Sequence, residues 1–161
     1  MFRFLILLLL TFYNSILSIA YADQVILKVE QVFDKKREKI IGSYTLNDLS
    51  KFNQSLIITK TTWTPKSKFS GPRLYDLLVS LNGYGKNIKI ETLDDYKTNL
   101  SWNDIKKYQP ILATHMNGNK LSIDSYGPLW VIFPVDNYPE FKTLYSDSKL
   151  AWQVKKIILT D

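Results

Sequence analysis

The sequence predicts an α+β domain, a mixed and mainly antiparallel sheet with short helices set between its strands. Short runs of β-branched and aromatic residues recur along the chain. An Asn-Gly pair, Asn117-Gly118, stands between two of them and is the strongest short hairpin signal a sequence offers. The helical patterns are few and brief, and no repeat or low-complexity linker divides the chain.

In order, Val25, Leu27 and Val29 alternate with polar residues, so Gln24 to Phe33 reads as a half-buried strand. Asp34-Lys35-Lys36-Arg37 is a charged hairpin tip, and Lys39 to Tyr44 is the returning strand. Thr45 caps a short helix with Leu46, Leu49 and Phe52 on one side. Leu56 to Trp63, β-branched and apolar, predicts a central strand. Ser70-Gly71-Pro72 opens a helix carrying Leu74, Leu77, Leu78 and Leu81, which Asn82-Gly83-Tyr84-Gly85 ends. Ile88 to Leu93 and Tyr96 to Leu100 are strands about Asp94-Asp95, and Ser101-Trp102-Asn103-Asp104 has the form of a capping box. Ile111 to Met116 and Lys120 to Ile123 form the Asn-Gly hairpin, Leu129 to Val135 a buried strand, and Trp152 to Leu159 the last.

The first 22 residues read as a secretory signal peptide. Met1-Phe2-Arg3 gives a positive start, Phe4 to Tyr13 is apolar apart from Thr11, and Ala20-Tyr21-Ala22 offers the small-x-small cleavage pattern. The apolar stretch is short for a membrane span, which needs roughly 20 residues. The expectation is an exported, periplasmic domain of residues 23–161. There is no cysteine in the 161 residues, which excludes disulfides, zinc–thiolate sites, cysteine nucleophiles and thiolate-bound molybdenum. The 21 Lys+Arg against 15 Asp+Glu are scattered, which favours solvated faces over a nucleic-acid stripe.

Phe69-Ser70-Gly71-Pro72-Arg73-Leu74-Tyr75-Asp76-Leu77-Leu78 resembles the F-x-G-x-x-L-x-D-L-L segment of the sulfite-oxidase-type molybdopterin-binding domain. Asp95-Tyr96, Ile111-Leu112-Ala113 before Asn117-Gly118, Gly127-Pro128-Leu129 running into Val131-Ile132-Phe133-Pro134, Ser148-Lys149 and Trp152-Gln153-Val154-Lys155 follow in that family's order. The resemblance covers Gln24 to Leu159 and implies the sulfite-oxidase-like fold. Catalytic members carry a molybdenum-binding cysteine in the strand before the Phe-x-Gly segment. Here that strand reads Ile57-Ile58-Thr59-Lys60-Thr61-Thr62-Trp63, and a hydroxyl or an ammonium is no substitute for a soft thiolate. The chain is similar instead to a short, exported, cysteine-free branch of the fold. For that branch the resemblance implies binding of a reduced, non-metallated pterin and relay of its status to the periplasmic domain of a membrane-bound cyclic-di-GMP enzyme. The alternative it leaves open is a molybdopterin-dependent oxidoreductase or its accessory subunit.

A pterin needs a flat apolar slot and a carboxylate able to accept its two parallel donors. Acids beside aromatics in loops are therefore the candidates: Asp95 and Tyr96, with Asp94 ranked below them, and Asp136 and Tyr138 in a loop framed by prolines. Asp95 serves equally well as a turn residue. Ser148, Lys149 and Trp152 fall where enzymes of the resembling fold hold the phosphate end and side of their cofactor. Trp152, like Trp63 and Trp130, suits a core position at least as well. Arg73, at the start of a helix, fits a ligand or a salt bridge. His115, the sole histidine, reads as a structural strand residue.

Overall fold

The computed structural model describes residues 24–33, 37–83, 85–141 and 147–160. The expected leader, residues 34–36 of the hairpin tip and Tyr84 lie outside that set. Strands β1 (Val25–Phe33) and β2 (Arg37–Thr45) form the first antiparallel pair. Helix α1 (Leu46–Ser50) follows at once, opened by a full capping box: the Thr45 hydroxyl accepts the Asp48 N–H, and the Asp48 carboxylate accepts the Thr45 N–H. Then come β3 (Gln54–Thr59), β4 (Ser67–Pro72), α2 (Leu74–Ser80), β5 (Asn87–Thr92) and β6 (Lys97–Ser101). The remainder is α3 (Trp102–Tyr108), β7 (Ile111–Ala113), β8 (His115–Met116), β9 (Asn119–Lys120), β10 (Trp130–Ile132), two single 3-10 turns and β11 (Val154–Thr160).

Three sheets result. The largest runs β2-β1-β11-β5-β6, a second runs β3-β4-β8-β9, and β10 pairs with β7. Among the described residues every pairing is antiparallel except β1 with β11, so the class is the mixed α+β expected. The core has two parts. Leu27, Val29, Ile88, Ile90 and Ile157 from the large sheet close over Leu74, Leu77 and Leu78 of α2. Ile57, Phe69, Ile111, Trp130 and Ile132 make a second cluster behind the four-stranded sheet. Each fully buried side chain of this size stabilises the fold by roughly 1.5–3 kcal/mol over leaving it in water.

Three expectations are corrected. Ser67–Pro72 is a strand, not the turn into a helix; α2 begins after it, with Arg73 as its N-cap. A Ser-Gly-Pro run reads as loop, yet Gly71 is needed here for close approach, since a Cβ would stand 2.0 Å from the Leu112 carbonyl oxygen. The predicted central strand is instead the edge strand β3, ending at Thr59. The strand expected from Leu129 to Val135 keeps its pairing only over Trp130–Ile132, and a 3-10 turn starts at Val135 just after Pro134.

The caps carry a pH dependence. Hydrogen bonds from Lys51 and then from the backbone and hydroxyl of Thr45 hold the Asp48 carboxyl at about 2. Its own backbone N–H, then Lys107 and Tyr108, hold Glu140 at about 2. Both folded values lie below the unfolded ones, so this stabilisation is complete only above about pH 5 and is lost as pH falls towards 2. The thermal midpoint followed by circular dichroism is expected to drop across that window, with a shallower drop in Asp48→Asn.

Candidate functional site

Where the loop after β3, the turn between β5 and β6 and the segment before β11 converge, they enclose a cavity of about 270 Å³. Its wall is Trp63 from the first, Thr92, Asp94 and Tyr96 from the second, and Asp147, Ser148, Leu150, Ala151 and Trp152 from the third. The volume sits just under the range of about 300–1,000 Å³ common for small-molecule sites. It suits one bicyclic ring better than a ring with a long tail.

The aromatic side is built from the inside out. Trp130 is fully buried, with Phe69 edge-on at 5.4 Å and Tyr126 stacked at 4.3 Å. Its indole Nε1–H donates to the Leu150 carbonyl at 2.9 Å and so ties the cavity's third wall to the core. The Val131 N–H donates to the Ala151 carbonyl at 2.8 Å, which fixes the same segment from the other side. Trp152 meets Trp63 edge-to-face at 4.3 Å, and Trp63 is half-exposed at the mouth. The loop holding Trp63 is pinned by the Thr61 hydroxyl, which accepts from the N–H groups of Trp63 and Thr64 at 3.1 and 3.0 Å. The Tyr126 hydroxyl donates to the Trp63 carbonyl at 3.3 Å.

The polar side centres on Asp94. The Thr92 hydroxyl donates to its Oδ1, and the Tyr96 N–H does so at 3.3 Å. Those two bonds, the hydroxyl's first, hold the carboxyl below its usual range and keep it an acceptor at neutral pH. The Tyr96 hydroxyl reaches across to donate to the Ser148 carbonyl at 3.2 Å and bridges two walls.

Of the residues singled out in the sequence, Tyr96, Ser148 and Trp152 meet at this cavity, and with them Asp94, which the sequence ranked below Asp95. The others lie elsewhere. Asp95 takes the left-handed turn position (φ 63°) and points to solvent, where it pairs with Lys155, which also holds Glu91 at 3.3 Å. Asp136 donates its N–H to the Thr59 hydroxyl at 3.1 Å and has its carboxylate 3.7 Å from Lys66. Tyr138 packs edge-on against Tyr108 at 4.7 Å. Arg73 is an exposed N-cap whose backbone bridges to Ile111. Lys149 turns inward and donates to the Asp104 carboxylate at 2.8 Å. The cavity also takes in Trp63, read in the sequence as suiting the core, and adds Thr92 and Asp147, for which the sequence offered no signal.

Lys149 is nearly buried and Asp104 a quarter exposed. Lys149→Ala is therefore expected to cost about 1–3 kcal/mol of stability, below the ~3–5 of a fully buried pair, because water partly solvates the stranded carboxylate. Chemical denaturation checks this. Ligand affinity at the cavity is expected to stay within twofold.

The residues present do not fit a molybdenum centre gripped by protein thiolate. The chain has no cysteine, and among the described residues no group of three His, Cys, Asp or Glu side chains is placed to hold a metal. In the strand where the resembling enzymes carry that cysteine, the Thr59 hydroxyl is fully buried and already bonded. The Asp94 and Asp147 carboxylates add two acids and no cation to the cavity wall, a poor surface for a phosphate.

The profile of the family described as Oxidoreductase molybdopterin binding domain matches residues 27–136, well over half of the sequence. The chain belongs to that family. Among solved structures it is similar to the sulfane dehydrogenase SoxCD from Paracoccus pantotrophus, with a TM-score of 0.59 and 14% identity. That alignment covers 84% of this chain and 38% of the other, so the chain spans well under half the length of that relative. At this identity the likeness is one of fold. No curated protein sequence matches at a significant level.

Proposed function

We propose that the chain is an exported pterin-binding module without redox catalysis of its own. The observation that carries this reading is the pairing of an aromatic-edged, ring-sized cavity with a fixed carboxylate, in a molybdopterin-binding domain with no cysteine. A reduced pterin lies in the cavity against the Trp63–Trp152 pair and offers its ring N–H and amino group to Asp94. Tyr96 and Ser148 close the far side, and the module holds its ligand in the non-metallated state.

The reading extends to a relay. Trp63, Leu93, Tyr96 and Ile123 are all exposed. Hydrogen bonds from Leu93 to Gln153, from Gln153 to Ile123 and Tyr126, and from Tyr126 to Trp63 tie these neighbours into one rim about the mouth. Such a rim suits a protein contact. The partner in this reading is the periplasmic domain of a membrane-bound cyclic-di-GMP synthase or phosphodiesterase, as the resemblance to the short exported branch suggests. Isothermal titration with tetrahydropterin and with oxidised pterin tests the ligand. Saturable heat with the reduced form supports the reading; no heat and no thermal shift with either ends it.

The family's own description favours a second reading, a molybdopterin-dependent oxidoreductase or its accessory subunit. Turnover of sulfite with an artificial electron acceptor, after loading with molybdenum cofactor, would select it.

A further inference from the structure

The four-stranded sheet buries one face and leaves the other to solvent. Ile57, Phe69 and Met116 point into the second core. The register defines the opposite face: Leu56 lies across from Ser70, Ile58 across from Lys68, Ser70 across from His115, and His115 across from Lys120. Leu56 and Ile58 are 56% and 48% exposed. Two neighbouring aliphatic side chains this open, on a strand at the edge of its sheet, form the kind of surface that proteins guard or use. Beside them, between α1 and the β8–β9 hairpin, runs a groove of about 540 Å³ lined by Leu46, Asn47, Gln54, Ser70, His115 and Lys120 among others.

The charge on this face has one sign. Among the described residues its ionisable groups are Lys68, His115 and Lys120, with no carboxylate in the strand register or the groove lining. The nearest acid on α1, Asp48, is engaged by Thr45 and Lys51. A second copy of the chain is a poor occupant, because it would bring the same lysines against one another. A partner carrying carboxylates between apolar side chains fits both features. β3 offers six residues, about 20 Å of extended chain.

We infer that this face docks an extended, acidic segment of a partner protein, its apolar side chains covering Leu56 and Ile58 and its carboxylates meeting Lys68, His115 and Lys120. The groove shares no residue with the Trp152 cavity, so this docking stands whether or not the cavity binds a pterin.

The test is a titration of the ¹⁵N-labelled protein with a synthetic peptide of about ten residues alternating glutamate and leucine, against its lysine–leucine counterpart. The expected result is amide shifts confined to β3, β4, β8 and β9 with the acidic peptide alone. Affinity is expected to fall at least tenfold in the double variant Lys68→Glu, Lys120→Glu, whose thermal midpoint serves as the folding control. Absent shifts, an equal response to the basic peptide, shifts centred on Trp152, or a concentration-dependent dimer in sedimentation that uses this face would each overturn the inference.

Discussion

Replacing Trp130 with alanine is expected to lower the unfolding free energy by about 3–5 kcal/mol, the usual loss when a large buried aromatic is truncated. Among the described residues no other fully buried side chain is as large, and Phe69, Tyr126, Trp63 and Trp152 all pack against it. Its indole N–H is also the donor that anchors Leu150, so the change leaves that carbonyl without its buried partner. Urea denaturation measures the loss. The conservative variant Trp130→Phe keeps most of the packing but not the N–H, and is expected to fold while binding ligand less tightly. That split separates the residue's two tasks, filling the second core and holding the cavity's third wall in place.

The second large effect is on affinity. Asp94→Asn is expected to weaken tetrahydropterin binding at least tenfold with the thermal midpoint nearly unchanged. A carboxylate accepts both ligand donors, whereas an amide presents one acceptor and one donor, and the donor meets an N–H. Asp94 is exposed and its bonds to Thr92 and Tyr96 lie within one turn, so losing its charge costs the fold little. Asp95→Asn is the matched control: its carboxylate faces Lys155 outside the cavity, and the affinity is expected to hold. Calorimetry on the two variants reads the difference directly.

Local chemistry made much of the fold legible. Thr45 and Ser101 cap the helices they precede, and the Asn117-Gly118 turn joins β8 to β9. The order of weak motifs from Phe69 to Lys155 pointed to the family that the profile match then showed. What stayed hidden was non-local. Nothing in β3 announces an edge strand, because Leu56 and Ile58 are as apolar as Ile57, and only the register shows which side faces water. The parallel pairing of β1 with β11 joins the two ends of the domain, across a separation no short-range pattern encodes. β4 was masked by its own Gly71-Pro72, residues that usually mark a turn.

The site follows the same division. Tyr96, Ser148 and Trp152 were within reach because each stands in a recognisable motif. Asp94 and Asp95 are adjacent and chemically identical; the backbone decides between them by giving Asp95 the left-handed turn position. Lys149 looks like a ligand for a phosphate until Asp104 is placed beside it, 45 residues away in sequence. Trp63 depends on a loop held by Thr61 and Tyr126, a contact with no counterpart in the local pattern.

In the proposed function a molybdopterin-type cleft takes a bare pterin, with no protein sulfur to grip a metal. Native mass spectrometry of the protein purified from its own source is the decisive test. One added pterin mass with no molybdenum isotope envelope is expected. A stoichiometric molybdenum envelope on the folded protein would overturn the proposal.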